Sequence, residues 1–360
     1  MAAEGLRFRH ALIDPDPPGA LHDVTLIADL NGDGRNDVII GGRDGEINLF
    51  WYENPGWERH DMASAPLLEA GGVVADITGN GRLDVVAGQQ APETELYWFE
   101  CPEDPTQPWT RRVIENRFVN YHDQTVGDVD GDGELELVLP VRNNGIVVYY
   151  DIPPDPHVEP WPVECCHVIA EGFDRIEGIA VVDIDGDGRN EILAGPNVLH
   201  PQTPGEFWRV EPVAPDFVMT RVAPVDVNGD GRLEIVLCEG ESDPGRLAWF
   251  APPDWRMHVL RDDLFHPHSL EVADFNGNGL PDVFVAEMGL GKNPAPRMFI
   301  YLNQGGGRFR EVLISQGVPT HEAKVGDLTG NGLPDIVGKP YSRDDSHIDV
   351  WFNESPPARA

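Results

Sequence analysis

The stretch Asp128–Glu136, DVDGDGELE, lies between the apolar runs TVG and LVLPV and recurs in close copies along the whole chain. The others are DLNGDGRND (Asp29–Asp37), DITGNGRLD (Asp76–Asp84), DIDGDGRNE (Asp183–Glu191), DVNGDGRLE (Asp226–Glu234), DFNGNGLPD (Asp274–Asp282) and DLTGNGLPD (Asp327–Asp335). Their first aspartates are spaced by 47, 52, 55, 43, 48 and 53 residues. A period of about 50 residues is that of a propeller blade, and seven periods use up nearly all of the 360 residues. One domain over residues 1–360 follows, with no room for a second.

Each unit reads as four short strands. An apolar stretch precedes the motif (TLIAD, GVVAD, IAVVD) and a β-branched one follows it (VIIGG, VVAGQ, VFVAE). The third is aromatic (LFWYEN, TELYWFE, GIVVYYD), and the fourth opens on Trp or Phe (WERHDMA, WTRRVIE, FREVLIS). Strands of this length, bounded by Gly, Pro and Asn, indicate an all-β fold. Residues Leu6–Ile13 form a fourth strand without a blade, whereas the last unit stops at its third, DVWFNE. The expected fold is therefore a seven-bladed β-propeller of four-stranded blades, closed by the N-terminal strand completing the last blade. Blade four is the least regular, its third and fourth strands both falling within Pro196–Asp216.

Composition agrees and excludes several functions. Gly 39 and Pro 33 leave little room for long helices, and 41% hydrophobic residues support a substantial core. A net charge of −36 repels phosphate backbones and anionic lipids, so neither nucleic acid nor a membrane surface is an expected partner. The N-terminal MAAEGLRFRH has no apolar signal region, giving a cytoplasmic location by default, or secretion if a leader was trimmed. Cys101, Cys165, Cys166 and Cys238 show no zinc or disulfide spacing.

The motif places oxygens at alternating positions, which suits a hard cation. Asp128, Asp130, Asp132 and Glu136, and Asp183, Asp185, Asp187 and Glu191, are the best equipped for structural calcium. Asp29, Asn31, Asp33 and Asp37, and Asp226, Asn228, Asp230 and Glu234, form a second tier. The competing reading is that Asx turns shape these loops without metal. The seven motifs hold 21 of the 62 carboxylates, so most of the acidity lies elsewhere.

Loops entering the first strand and leaving the second lie on the opposite face from the motif. Counting six residues back from each first aspartate gives Asp23, Ala70, His122, Glu177, Thr220, His268 and His321. Histidines gather there without an evident structural reason. His268, His321, His22 and His122, with Glu287, are candidate ligands for Zn, Mn or Fe; the alternatives are a hydrogen-bonded polar plug or metal-free acid–base chemistry. Lys324, Lys339, Tyr341, Tyr121 and Glu322 join His268 and His321 as candidate catalytic groups. Arg43, Arg142, Arg175 and Arg221 would draw an anionic ligand, and Phe118, Phe173, Phe217 and Phe265 form either an aromatic rim or inter-blade packing.

The seven motif copies make the chain resemble the FG-GAP/VCBS-repeat β-propellers, which include integrin α-subunit heads and several carbohydrate-active enzymes. The HSLEVAD (His268–Asp274) and THEAKVGD (Thr320–Asp327) segments are similar to those of the propeller domain in aldos-2-ulose dehydratase-type sugar lyases. That resemblance implies β-elimination on a keto-sugar or uronate glycan, with a small sugar or oligosaccharide as partner. His321 or Lys324 would be base, a His-bound cation or Lys339 would stabilise the enolate, and Tyr341 or His268 would be acid. The cupin domains of the dehydratase have no counterpart here. The alternative from the same resemblance is a non-catalytic, calcium-stabilised propeller that binds a glycan or protein.

Overall fold

A computed structural model describes residues 5–203 and 205–356. Their strands form seven antiparallel sheets of four, six of them built from strands consecutive in sequence. The innermost strands are Ala20–Ala28, Val73–Ala75, Thr125–Gly127, Ile179–Val182, Thr220–Val225, Ser269–Ala273 and Lys324–Gly326. The seventh sheet closes the ring as expected: Phe8–Asp14 pairs with the C-terminal strand Ile348–Asn353, His10 opposite Trp351. Blade four is resolved as Asn197–His200 followed by Arg209–Pro212. No helix is long and apolar enough to cross a membrane among the described residues.

The middle strands are unbroken apolar runs because each sheet is covered on both faces by its neighbours. Strands such as Leu49–Glu53 (LFWYE) and Asp84–Gly88 (DVVAG) are buried almost throughout. The core accordingly divides into seven clusters, each shared by two adjacent blades. Trp51 and Ile39 of blade one, for example, meet Tyr97 and Phe99 of blade two. Outer strands such as Glu58–Ala63 are largely exposed instead, since one face is wet.

The motif loops are tied by their own carboxylates. Asp128 accepts N–H groups from Gly131 (2.7 Å) and Gly133 (3.1 Å), which adopt φ of +85° and +89° that a side chain would strain. Asp130 and Asp132 accept the amides two residues on. The ninth position turns inward, and its identity sorts the blades. An aspartate there uses both oxygens on backbone amides: Asp37 binds Leu30 and Asn54, and Asp282 binds Phe275 and Asn303. A glutamate takes the amide of the second motif residue, as Glu136 does with Val129, Glu191 with Ile184 and Glu234 with Val227, and Glu234 also accepts from Asn228 Nδ2. Three asparagines then link blades: the amide nitrogens of Asn54, Asn303 and Asn353 donate to Leu328, Val227 and Phe275 carbonyls.

Candidate functional site at the propeller axis

The inner strands converge as they leave their entering loops, and this brings the ring six residues before each motif together. His122, Glu177, His268 and His321 meet there, with ring centroids 5.8 Å apart for His122 and His268 and 4.6 Å for His268 and His321. All four side chains are buried. One residue further along the strands lies a charged layer of Asp123, Arg221 and Glu322. Arg221 Nη2 is 2.6 Å from Asp123 Oδ1 and 3.2 Å from Glu322 Oε1. Each carboxylate in turn holds one imidazole: Asp123 Oδ2 lies 2.7 Å from His122 Nδ1, and Glu322 Oε1 2.9 Å from His268 Nδ1.

A second group joins blades seven, one and two. Arg43 pairs with Asp23 and, at 2.7 Å, with Glu69, while Asp23 Oδ1 is 3.5 Å from His321 Nδ1. Lys339, fully buried, donates to the His321 carbonyl at 2.9 Å. Tyr341 is half-buried above His321, ring centroids 4.9 Å apart, with the Arg43 guanidinium 5.1 Å from its ring. Arg142 spans Glu177 and Glu241 at 2.7 and 3.0 Å.

These surroundings push the titrations apart. For His122, burial opposes the charged form, but Asp123 and Glu177 outweigh it and raise the imidazole to about 10. Burial, with His268 and Lys339 nearby, holds His321 well below its ordinary value and hence neutral. Burial lifts Asp23 to about 7 despite Arg43, and lowers Lys339 to about 8 despite Glu322 and Asp23. Asp123 and Glu322 are buried too, yet Arg221 and the histidines keep both below the usual carboxylate range.

The axial space holds a cavity bounded by inner-strand residues on the motif side of the histidine ring. A channel of about 290 Å³ is walled by Gln124, Val222, Leu270 and Lys324, and Asp123 and Arg221 lie at its inner end. Inner-strand residues along it are partly exposed, whereas those of the histidine ring are buried. The cluster expected at an open mouth is instead buried, with charges paired across the axis.

Several candidates lie elsewhere. His22 uses both ring nitrogens on Pro18 O and Ser346 Oγ, each at 3.0 Å, and packs edge-on against Phe50. Glu287, expected as a metal ligand, is a staple within blade six: its oxygens take the amides of Phe265 and Arg297 and the Arg297 side chain. Tyr121 belongs to the core between blades two and three, its hydroxyl accepting from Phe118 N. Lys324 points into the channel and pairs with Glu271 at 2.7 Å. Arg175 is exposed and lies 4.0 Å from Asp174. Phe118 and Phe173 pack against the cores between blades two and three and between three and four, Phe217 packs on Phe250 beneath Arg246, and Phe265 stands edge-on to His266. Arg221 is walled in by carboxylates instead of facing a ligand. Asp37, Asn228 and Glu234 are committed to hydrogen bonds within their loops, whereas Asp128, Asp130 and Glu136 present oxygens within 4.8 Å of one another.

Asp123, Glu69 and Glu241 were not expected. Asp123 was signalled by the five-back positions, where Asp123, Arg221 and Glu322 alternate in charge. Glu69 and Glu241 carry no such register signal.

Solved structures share this architecture at low sequence identity. The Vibrio cholerae biofilm matrix protein Bap1 aligns over 97% of this chain and 92% of its own, with 13% identity and a TM-score of 0.56. BBS1N, solved in complex with ARL6DN, aligns over 98% of both chains at 13% identity and a TM-score of 0.57. The rhamnogalacturonan lyase PL11 of Bacillus licheniformis aligns over 97% of this chain and 76% of its own, at 13% identity and a TM-score of 0.51. No curated protein sequence matches the chain. The FG-GAP-like repeat matches residues 29–87, 128–194, 226–285 and 274–338, more than half of the sequence. With seven motif-bearing blades around one axis, the chain belongs to the FG-GAP-like repeat family.

Proposed function

We propose that the protein is a carbohydrate-active lyase that eliminates a group β to a carbonyl in a keto-sugar or uronate glycan. The observation that carries this reading is the meeting of three imidazoles and Glu177 on the axis, with Tyr341 and Arg43 layered over His321. Elimination needs a base for the acidic α-proton, positive charge for the enolate and an acid for the leaving oxygen. His321 supplies the base, and Tyr341, kept protonated by burial, supplies the acid. Arg43, reaching the same point, holds the substrate carbonyl or carboxylate against the overall negative charge. The rhamnogalacturonan lyase with this fold supports the scaffold's compatibility with such chemistry.

Two kinds of divalent ion belong to this reading. Calcium would stiffen the loops of blades three and four, where the ninth-position glutamates keep an oxygen on the loop side. A transition ion at the axial histidines, when bound, supplies Lewis-acid polarisation of the substrate carbonyl. The test is turnover of aldos-2-uloses and uronate glycans, followed by absorbance of the unsaturated product. His321→Ala and Tyr341→Phe should each lose at least ~100-fold in kcat/KM, as removal of a positioned acid or base does. A wild-type chain inactive on both classes, or a fully active His321→Ala, overturns the reading. The burial of the axial cluster favours one other reading, a non-catalytic propeller that binds a glycan or protein on its surface.

A further inference from the structure

We infer that the axial cluster is a transition-metal site whose ligands are His122 Nε2, His268 Nε2 and a Glu177 oxygen, and that Arg221 positions both imidazoles. This sharpens the cation part of the function proposed above and does not depend on the elimination chemistry. One nitrogen of each imidazole and one Glu177 oxygen lie within 4.8 Å of one another, with His268 Nε2 3.9 Å from Glu177 Oε2. Bonds of 2.0–2.2 Å would draw them to roughly 3–3.5 Å, a small contraction.

Three observations favour an ion over a set of paired charges. First, Glu177 is fully buried, and neither of its oxygens has a hydrogen-bond donor. Arg142 Nε stands 2.7 Å from Oε1 but outside hydrogen-bonding geometry, and Oε2 faces His268 Nε2 at 3.9 Å. Second, His122 Nδ1 is hydrogen-bonded to Asp123, and His268 Nδ1 lies 2.9 Å from Glu322 Oε1 though outside hydrogen-bonding geometry. Each carboxylate thus stands on the Nδ1 side of its ring and leaves Nε2 free, as the carboxylates behind metal-binding histidines do. Third, one guanidinium clamps both orienting carboxylates, because Arg221 contacts Asp123 and Glu322 together. A purely structural plug needs charge balance, but not two imidazoles within reach of one buried carboxylate that accepts no hydrogen bond. Two imidazoles and one carboxylate suit Zn, Fe or Mn, with positions left open for water or substrate oxygen.

Arg221 is therefore a positioning residue. The test uses the full chain, stripped with a chelator and held in excess calcium so that the motif loops are filled. Titration with Co(II) should then show one tight equivalent with a d–d absorption spectrum of nitrogen-containing ligation. Glu177→Gln and His268→Gln should abolish that signal. Arg221→Lys should weaken affinity by ~10–100-fold and alter the spectrum, and Asp123→Asn, which loosens His122 Nδ1 and the Gly178 amide beside Glu177, should do so if the lysine variant does not fold. Melting curves separate misfolding from lost ligation. A wild-type chain taking up no Co(II) beyond the calcium-blocked loops overturns the site, as does a Glu177→Gln variant binding as tightly as wild type. Unchanged affinity and spectrum in both Arg221→Lys and Asp123→Asn overturn the positioning role.

Discussion

Replacing Arg221 with methionine is the most direct probe of the axial charge network. The guanidinium is buried and serves Asp123 at 2.6 Å and Glu322 at 3.2 Å, both carboxylates being buried themselves. Methionine keeps most of the volume and removes the charge. Deleting one partner of a buried ion pair typically costs about 3–5 kcal/mol, because the other charge is left unpaired. Here two carboxylates are stranded, but each retains one imidazole, so the total should stay near the upper end of about 3–5 kcal/mol. The pH dependence has a definite sign. In the wild type, Arg221 holds both carboxyls below their ordinary values, so its contribution is present at neutral pH and fades as pH falls through their folded-state titration. Without it, burial dominates and the stranded carboxyls take up protons at milder acidity. Urea unfolding at pH 7.5 and 5 should therefore show a smaller gap between wild type and Arg221→Met at the lower pH. Adding Glu322→Gln to the variant should restore about 1–2 kcal/mol by removing one orphaned charge. A loss under about 1 kcal/mol at pH 7.5, or a gap that widens on acidification, would refute the view that these groups form one electrostatic unit.

Two further measurements address the scaffold. Asn303→Ala removes the donors to Val227 O (2.8 Å) and Pro281 O (3.1 Å) and should cost about 1–3 kcal/mol in chemical unfolding; Asn278→Ala, in an exposed loop, should cost under about 0.5 kcal/mol. Equal effects from the two would remove the inter-blade role assigned to Asn303. Calcium should raise the melting temperature in proportion to the logarithm of its concentration above Kd, and Glu136→Gln combined with Glu191→Gln should blunt that response. A melting temperature indifferent to calcium and chelator would leave the loops shaped by their hydrogen bonds alone.

The blades were legible because each repeats a local signal: a glycine-aspartate turn with apolar strands around it. Closure was legible too, since LRFRHALI lacked a blade and DVWFNE lacked a fourth strand. Alignment on the motif also picked out His122, Glu177, His268 and His321, because equal offsets on inner strands reach equal heights at the axis. What alignment could not supply was pairing. Asp123 and Arg221 are 98 residues apart and Arg221 and Glu322 101, and which charges meet depends on side-chain reach across the ring. Glu287 was misread for the same reason: its height suited the axis, but Arg297 on the next strand captures it within its own blade. Tyr121 was misread because a neighbouring glycine, Gly88, leaves space that draws its ring into the core between blades.

The pairing of Phe8–Asp14 with Ile348–Asn353 sets a temporal order on biogenesis. Of the described strands, Phe8–Asp14 is synthesised first and its partner Ile348–Asn353 last, so at about 5–20 residues per second it waits roughly 17–70 s. Throughout that interval one sheet edge is unmated and the circle is a spring-open arc. A permuted gene that begins in the loop between two blades, with Ile348–Asn353 joined through a linker to Phe8–Asp14, would let the seventh sheet form early and shift the late step to another seam. Refolding yield in such permutants would then report how much of the protein's assembly depends on that last zipping event.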